Sequence, residues 1–241
     1  EYRRQRQMCI RDSYKYSMRF QEYEGIVDTA VQFHNELNPK LWANGKLDPM
    51  VRYKLLMIAQ NFISFINIPK LHLSDVTISG SNAAYTYTEN SDIDLHLVVD
   101  IPRAAEYHLK PLFDAKKNQY NFIHDIKIHG IDVELYVQPS TDTHHSLGIY
   151  SVMDDSWLSK PVAKEVSIND DDVKFKVDSY KAKIKQALRS KDLKVANRVK
   201  EELNKLRKAG LEREGEFSVE NIAFKVLRVK GYINQLRQHI Y

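Results

Sequence analysis

ISGSNAAYTYTENSDIDLHLVVD, residues 78–100, decides how this chain is read. Ile78 and Ser79 precede Gly80-Ser81, small and polar residues follow, and Asp92 and Asp94 then open an apolar run. Strict alternation over 92–99 predicts a strand with Ile93, Leu95, Leu97 and Val99 on one face and Asp92, Asp94, His96 and Val98 on the other. Two carboxylates on one face repel each other. A hard divalent cation reverses that sign, because Mg²⁺ takes one or two carboxylates together with phosphate oxygens.

A second alternating stretch supplies more acid. FIHDIKIHGIDVELYVQ (residues 122–138) reads as a hairpin, with a strand over 122–128, a turn at His129-Gly130 and a strand over 131–138. Its second strand sets Asp132 and Glu134 on the face opposite Ile131, Val133, Leu135 and Val137. If the two strands are neighbours, three or four carboxylates converge. Gly80 lets the backbone approach a phosphate closely, and the N–H groups opening the next turn, with the Ser81 hydroxyl, suit an anion.

Around these stretches the chain divides. Asp48-Pro49 starts an amphipathic helix over 49–67, ended by Ile68-Pro69. Residues 21–37 show loose helical spacing, 75–79 a strand, and 82–87 a short helix or turn. A helix over 103–117 carries Pro111, which is expected to bend or break it. GIYSVMDDSWLSKP (148–161) reads as an irregular connection, with Asp154-Asp155 a turn before Trp157. Helices are expected over 171–189 and 192–208, stopped by Ala209-Gly210, and a last one over 218–238. The expected organisation is an N-terminal arm and helix (1–47), a core (48–140), a connection (141–170) and a basic helical region (171–241).

The 241 residues are 43% hydrophobic and 28% charged, an ordinary soluble globular balance. No run is long and apolar enough to span a bilayer. Cys9 is the one cysteine, which excludes an internal disulfide framework and a Cys-rich zinc site and predicts a reducing, cytoplasmic setting. MCIRDS (Met8–Ser13) resembles the translated frame of a transposon-end sequencing adapter. On that reading residues 1–13 are foreign and Met18 is the natural start; the other reading is a basic arm. Net charge is +4, unevenly spread: residues 174–241 hold 18 Lys/Arg against 8 Asp/Glu, so the remainder is acidic. A basic rear suits a polyanion, although Lys/Glu-laced helices more often face solvent.

The stretch over 78–99 resembles the signature of the nucleotidyltransferase superfamily typified by DNA polymerase beta: an apolar residue, Gly-Ser, a spacer of about ten residues, then Asp-x-Asp between apolar residues. The resemblance covers residues 72–138. It implies an α/β (α+β) fold, a small mixed sheet backed by helices. It implies two Mg²⁺ ions, or Mn²⁺ in their place. Asp92 and Asp94 would hold the nucleotide-associated metals, Asp132 would join the metal activating the acceptor hydroxyl, and Gly80 and Ser81 would contact the triphosphate. Glu134 is an alternative third ligand or a supporting group. His96 shares the aspartate face and reads first as structural. The implied reaction moves a nucleoside monophosphate onto a hydroxyl and releases pyrophosphate. The acceptor is open: an RNA end met by the basic helices, a protein hydroxyl or a small molecule. A silent module of the same fold, binding RNA or a protein, is the alternative. A glycosyltransferase Asp-x-Asp ordinarily follows its strand, whereas this one begins it. His144-His145 lacks metal-ligand spacing, and Tyr85 and Tyr87 suit either base stacking or core packing.

Overall fold

A computed structural model of the chain describes residues 26–69, 71–142, 146–163, 166–190 and 192–240. Cys9, residues 1–25 and His144-His145 lie outside them. The chain forms two compact units, one of residues 32–166 and one of residues 1–31 with 167–241.

The first unit opens with a small ribbon, β1 (Trp42–Ala43) and β2 (Lys46–Leu47). Helix α1 (Pro49–Ile66) follows. The Asp48 carboxylate accepts hydrogen bonds from the Met50 and Val51 N–H groups, and Pro49 takes the first helical position, where no N–H is needed. Asn67, in the left-handed region at φ 52°, ends the helix. Val51, Leu55, Ala59, Phe62 and Ile66 form its buried stripe.

The main sheet contains β3 (His72–Ser79), β4 (Ile93–Asp100), β5 (Lys127–Ile128), β6 (Ile131–Pro139), β7 (Ile149–Ser151) and β8 (Ser156–Ser159), in the order β5-β6-β4-β3-β7-β8. Only β4 and β6 run parallel; the other pairs are antiparallel. The parallel pair requires a crossover, and α2 (Arg103–Ile123) provides it. The apolar face of β4 is closed, with Ile93, Leu95, Leu97 and Val99 at most 1% exposed within one core that includes α1 and α2 residues. The expected α/β class and small mixed sheet backed by helices are what the chain forms.

Several local expectations are corrected. Residues 26–37 form turns and bends rather than a helix. Helix α2 runs through Pro111 and six residues beyond 117. Pro111 lies on the exposed side, where the unpaired carbonyl four residues back can meet water. Tyr120 anchors the last turn against Phe62 and Phe65, at ring separations of 4.9 and 5.1 Å. Residues 122–126 are therefore not a strand, and β5 has only two residues. The turn is as expected: His129 (φ 51°) and Gly130 (φ 80°) make the two-residue loop. Residues 149–159 form a hairpin on the sheet edge, not an irregular connection. The Tyr150 hydroxyl donates to Asp155 at 2.7 Å, and Trp157 stacks on Trp42 at 4.8 Å. The Trp42–Trp157 contact joins residues far apart in sequence, so no local pattern signals it.

The second unit carries α3 (Asp170–Arg189), α4 (Leu193–Glu214), α5 (Val219–Val229) and α6 (Tyr232–Ile240). Ala209-Gly210 does not stop α4. Gly210 is buried within it, because a Cβ there would meet Ser218 Oγ at 2.8 Å and Glu220 Cβ at 2.9 Å. The glycine serves close packing rather than termination. The expected single last helix is two, separated at Lys230-Gly231. No helix among the described residues is long and apolar enough to cross a membrane.

Candidate active site

The register of three strands builds the site. Antiparallel pairing sets Ser79 of β3 opposite Asp94 of β4, and Thr77 opposite His96. Parallel pairing sets Asp94 beside Glu134 of β6, and His96 beside Tyr136. Residues in register on neighbouring strands share a face, so the polar side of β4 and β6 carries Asp94 with Glu134; Asp132 lies two residues earlier on β6, and Asp92 just before β4 begins. Side-chain contacts follow this placement: Ser79 Oγ lies 3.1 Å from His96 Nε2, and the His96 and Tyr136 rings stack at 4.9 Å. His96 is thus buried in a row of side chains directly behind the acidic pair.

Gly80 sits against this acid. Its φ is +75°, and a Cβ there would stand 2.1 Å from Asp94 Oδ2. Only glycine fits that bend. Its N–H donates to Ser146 Oγ at 3.1 Å, and the Ser81 hydroxyl donates to Ser91 Oγ at 2.8 Å. A short helical turn, Ser81–Ala83, follows.

Each carboxylate of β6 meets a lysine. Lys127, opposite Asp132 across the hairpin, reaches its Oδ1 at 2.7 Å. The Asp132 carboxylate beside Lys127 raises the ammonium's pKa above its ordinary value. Lys117 of α2 lies 3.4 Å from Glu134 Oε1 and 3.8 Å over the Tyr136 ring, with its side chain 17% exposed. Among the described residues no three His, Cys, Asp or Glu side chains are placed to hold one metal ion. The donor chemistry fits a hard cation all the same. Asp92, Asp94, Asp132 and Glu134 offer only oxygen; Asp94 and Glu134 are paired on adjacent strands, and Asp94 lies against the glycine bend.

The sequence reading missed the amides behind the site. Asn82, 1% exposed, donates from Nδ2 to the carbonyls of Ser91 (3.1 Å) and Asp92 (2.9 Å) and accepts from Asn38 Nδ2 at 2.8 Å. Trp42 Nε1 donates to the Asn82 carbonyl at 2.7 Å. Lys127 was legible, since a two-residue turn at 129–130 pairs residue 127 with 132. Lys117 and Asn38 were not, because only tertiary packing brings them here. One face of Tyr87 is covered by the His34 ring, stacked at 3.8 Å.

No family model matches the chain, and no curated protein matches it. A solved structure, the STING-associated CdnE c-di-GMP synthase from Capnocytophaga granulosa, is similar over 81% of this chain and 82% of its own, at 12% identity and a TM-score of 0.25. Those values leave the functional reading to the residues of the site itself.

Proposed function

We propose that the chain is a metal-dependent nucleotidyltransferase. One observation supports the reading: strand pairing sets Asp94 beside Glu134 and opposite Ser79, with Gly80 bent against the Asp94 carboxylate. Asp92 and Asp94 would hold the nucleotide-associated Mg²⁺, with Mn²⁺ an alternative. Asp132 would release Lys127 and join them, and Glu134 is the other candidate. Bound there, divalent cations neutralise the triphosphate and align an in-line displacement. The acceptor oxygen would bond to the α-phosphorus while the bond to the bridging oxygen breaks and pyrophosphate leaves with that electron pair. The acceptor proton would pass to the Asp132 carboxylate. Gly80 would let the triphosphate approach the backbone. Ser81 would join by turning its single hydroxyl hydrogen from Ser91 Oγ to a phosphate oxygen. His96 and Tyr136 would brace the face.

The lysine pairing of both β6 carboxylates favours a second reading, a module of this architecture that transfers nothing and binds RNA or a protein. One experiment separates them. The full chain is incubated with Mg²⁺, labelled nucleoside triphosphates and separate pools of RNA, protein and aminoglycoside acceptors. The enzyme labels one pool, and D92N and D94N, still folded, lose that labelling by orders of magnitude. No label in any pool, with no nucleotide bound, overturns the enzyme reading.

A further inference from the structure

The geometry points to Asn82, braced by Asn38, as the positioning residue that fixes Asp92 for the metal. This rests on the nucleotidyltransferase reading and adds a residue to it. Two peptide planes flank Asp92. One carries the Ser91 carbonyl and the other the Asp92 carbonyl, and the φ and ψ of Asp92 set their relative orientation. A single nitrogen, Asn82 Nδ2, donates to both, at 3.1 and 2.9 Å. Both of its hydrogens are spent, so the backbone of Asp92 is held, and with it the direction in which the carboxylate leaves the chain.

The amide is itself held from two sides. Its Oδ1 accepts from Asn38 Nδ2 at 2.8 Å, and the backbone carbonyl of Asn82 accepts from Trp42 Nε1 at 2.7 Å. Asn38 and Asn82 are both buried, at 6% and 1% exposure. Asn82 also lies two residues after Gly80, in the turn that closes the bend against Asp94. One side chain therefore ties the bend on one aspartate to the backbone of the other. A buried amide with every hydrogen bond made holds one geometry, and a half-satisfied one does not. Groups that orient metal-binding side chains in this way are typically worth about 10- to 100-fold in metal affinity or activity.

Three variants of the full chain test it: N82A, the isosteric N82D, which turns an acceptor toward two carbonyls, and N38A, which removes only the brace. Mn²⁺ binding is read by electron paramagnetic resonance with and without a non-hydrolysable nucleoside triphosphate, beside Tm, KM and kcat. Folded N82A and N82D are expected to bind Mn²⁺ about 10-fold or more weakly. Their kcat should fall at least as far at fixed metal concentration, and KM for the triphosphate should rise too, because Asp92 would hold the nucleotide-associated metal. N38A is expected to show a smaller loss in the same direction. Folded N82A with wild-type Mn²⁺ affinity and kcat overturns the inference alone. If neither Asn82 variant folds, N38A decides: weaker Mn²⁺ binding supports the inference and unchanged binding overturns it. A wild-type chain that binds neither Mn²⁺ nor nucleotide overturns this inference together with the proposed function.

Discussion

The α-carbon of Gly80 is pressed against the carboxylate of Asp94, so closely that an added methyl group would lie 2.1 Å from Oδ2. The same residue has φ +75° and ψ −164°, a region used almost only by glycine. Backbone strain and side-chain collision therefore coincide at one position. Gly45 shares the positive φ, at +78°, but a Cβ there meets nothing within 4 Å.

That contrast gives a matched pair of variants. G80A and G45A should each lose stability through the backbone, by about 1–3 kcal/mol. G80A alone should also displace Asp94, so its Mn²⁺ affinity and nucleotidyl transfer should fall at least about tenfold while G45A keeps both. Denaturant melts beside metal titrations check this. Equal metal affinity in the two variants would separate Asp94 from the bend.

Lys127 competes with any cation for Asp132. The pair is close, at 2.7 Å, but both side chains are about half exposed or more. An exposed pair of this kind is weak and screened by salt. K127M should therefore tighten Mn²⁺ binding modestly at low ionic strength, with the gain shrinking as salt rises. Unchanged or weaker binding would show that Asp132 does not reach the metal and would favour Glu134.

Legibility in the sequence followed locality. The alternation of 92–99 and 131–138 and the Asp48-Pro49 cap are properties of neighbouring residues, and they gave β4, β6 and the start of α1. The turn at 129–130 even specifies the pairing of Lys127 with Asp132. Failures came where distant packing overrode a local signal. Gly210 reads as a stop until Ser218 and Glu220 are seen against it. Phe122 and Ile123 look like strand residues, yet they are exposed on the last turn of α2, held there by Tyr120. Of the candidate site, the aspartates and the glycine stand out in the sequence because their chemistry is unusual for their positions. Asn82 was not, since an asparagine after Gly-Ser reads as any turn residue until the carbonyls of 91 and 92 close on it.

The β7–β8 hairpin should make the first unit sensitive to acid. The Tyr150 hydroxyl, with Lys46 and Arg52 in support, holds the Asp155 carboxyl below its ordinary value of 3.8. A carboxyl depressed on folding stabilises the fold above the unfolded value, and that stability is lost as pH falls through the folded one. Wild-type stability should thus drop as the pH goes below about 4, and D155N should be less stable at pH 7 with a shallower fall in that range. Urea melts across pH measure the slope. Parallel curves for the two proteins would remove Asp155 from the linkage.

One substitution made at two tyrosines should act with opposite signs. Tyr180 of α3 is 2% exposed, and its hydroxyl has no hydrogen-bond partner among the described residues. Burial, then the charges of Glu220 and Glu202, push its pKa up to about 12. A buried unpaired hydroxyl costs about 1–3 kcal/mol, so Y180F should raise the stability of the helical unit by about 1 kcal/mol. Tyr150 is fully buried too, but its hydroxyl donates to Asp155 at 2.7 Å. Removing that donor leaves the carboxylate short of a partner, and Y150F should destabilise by about 1.5–3 kcal/mol, the worth of a hydrogen bond to a charged group. Denaturant unfolding of both variants decides it. A Y180F protein less stable than wild type would mean that the Tyr180 hydroxyl is paired in solution.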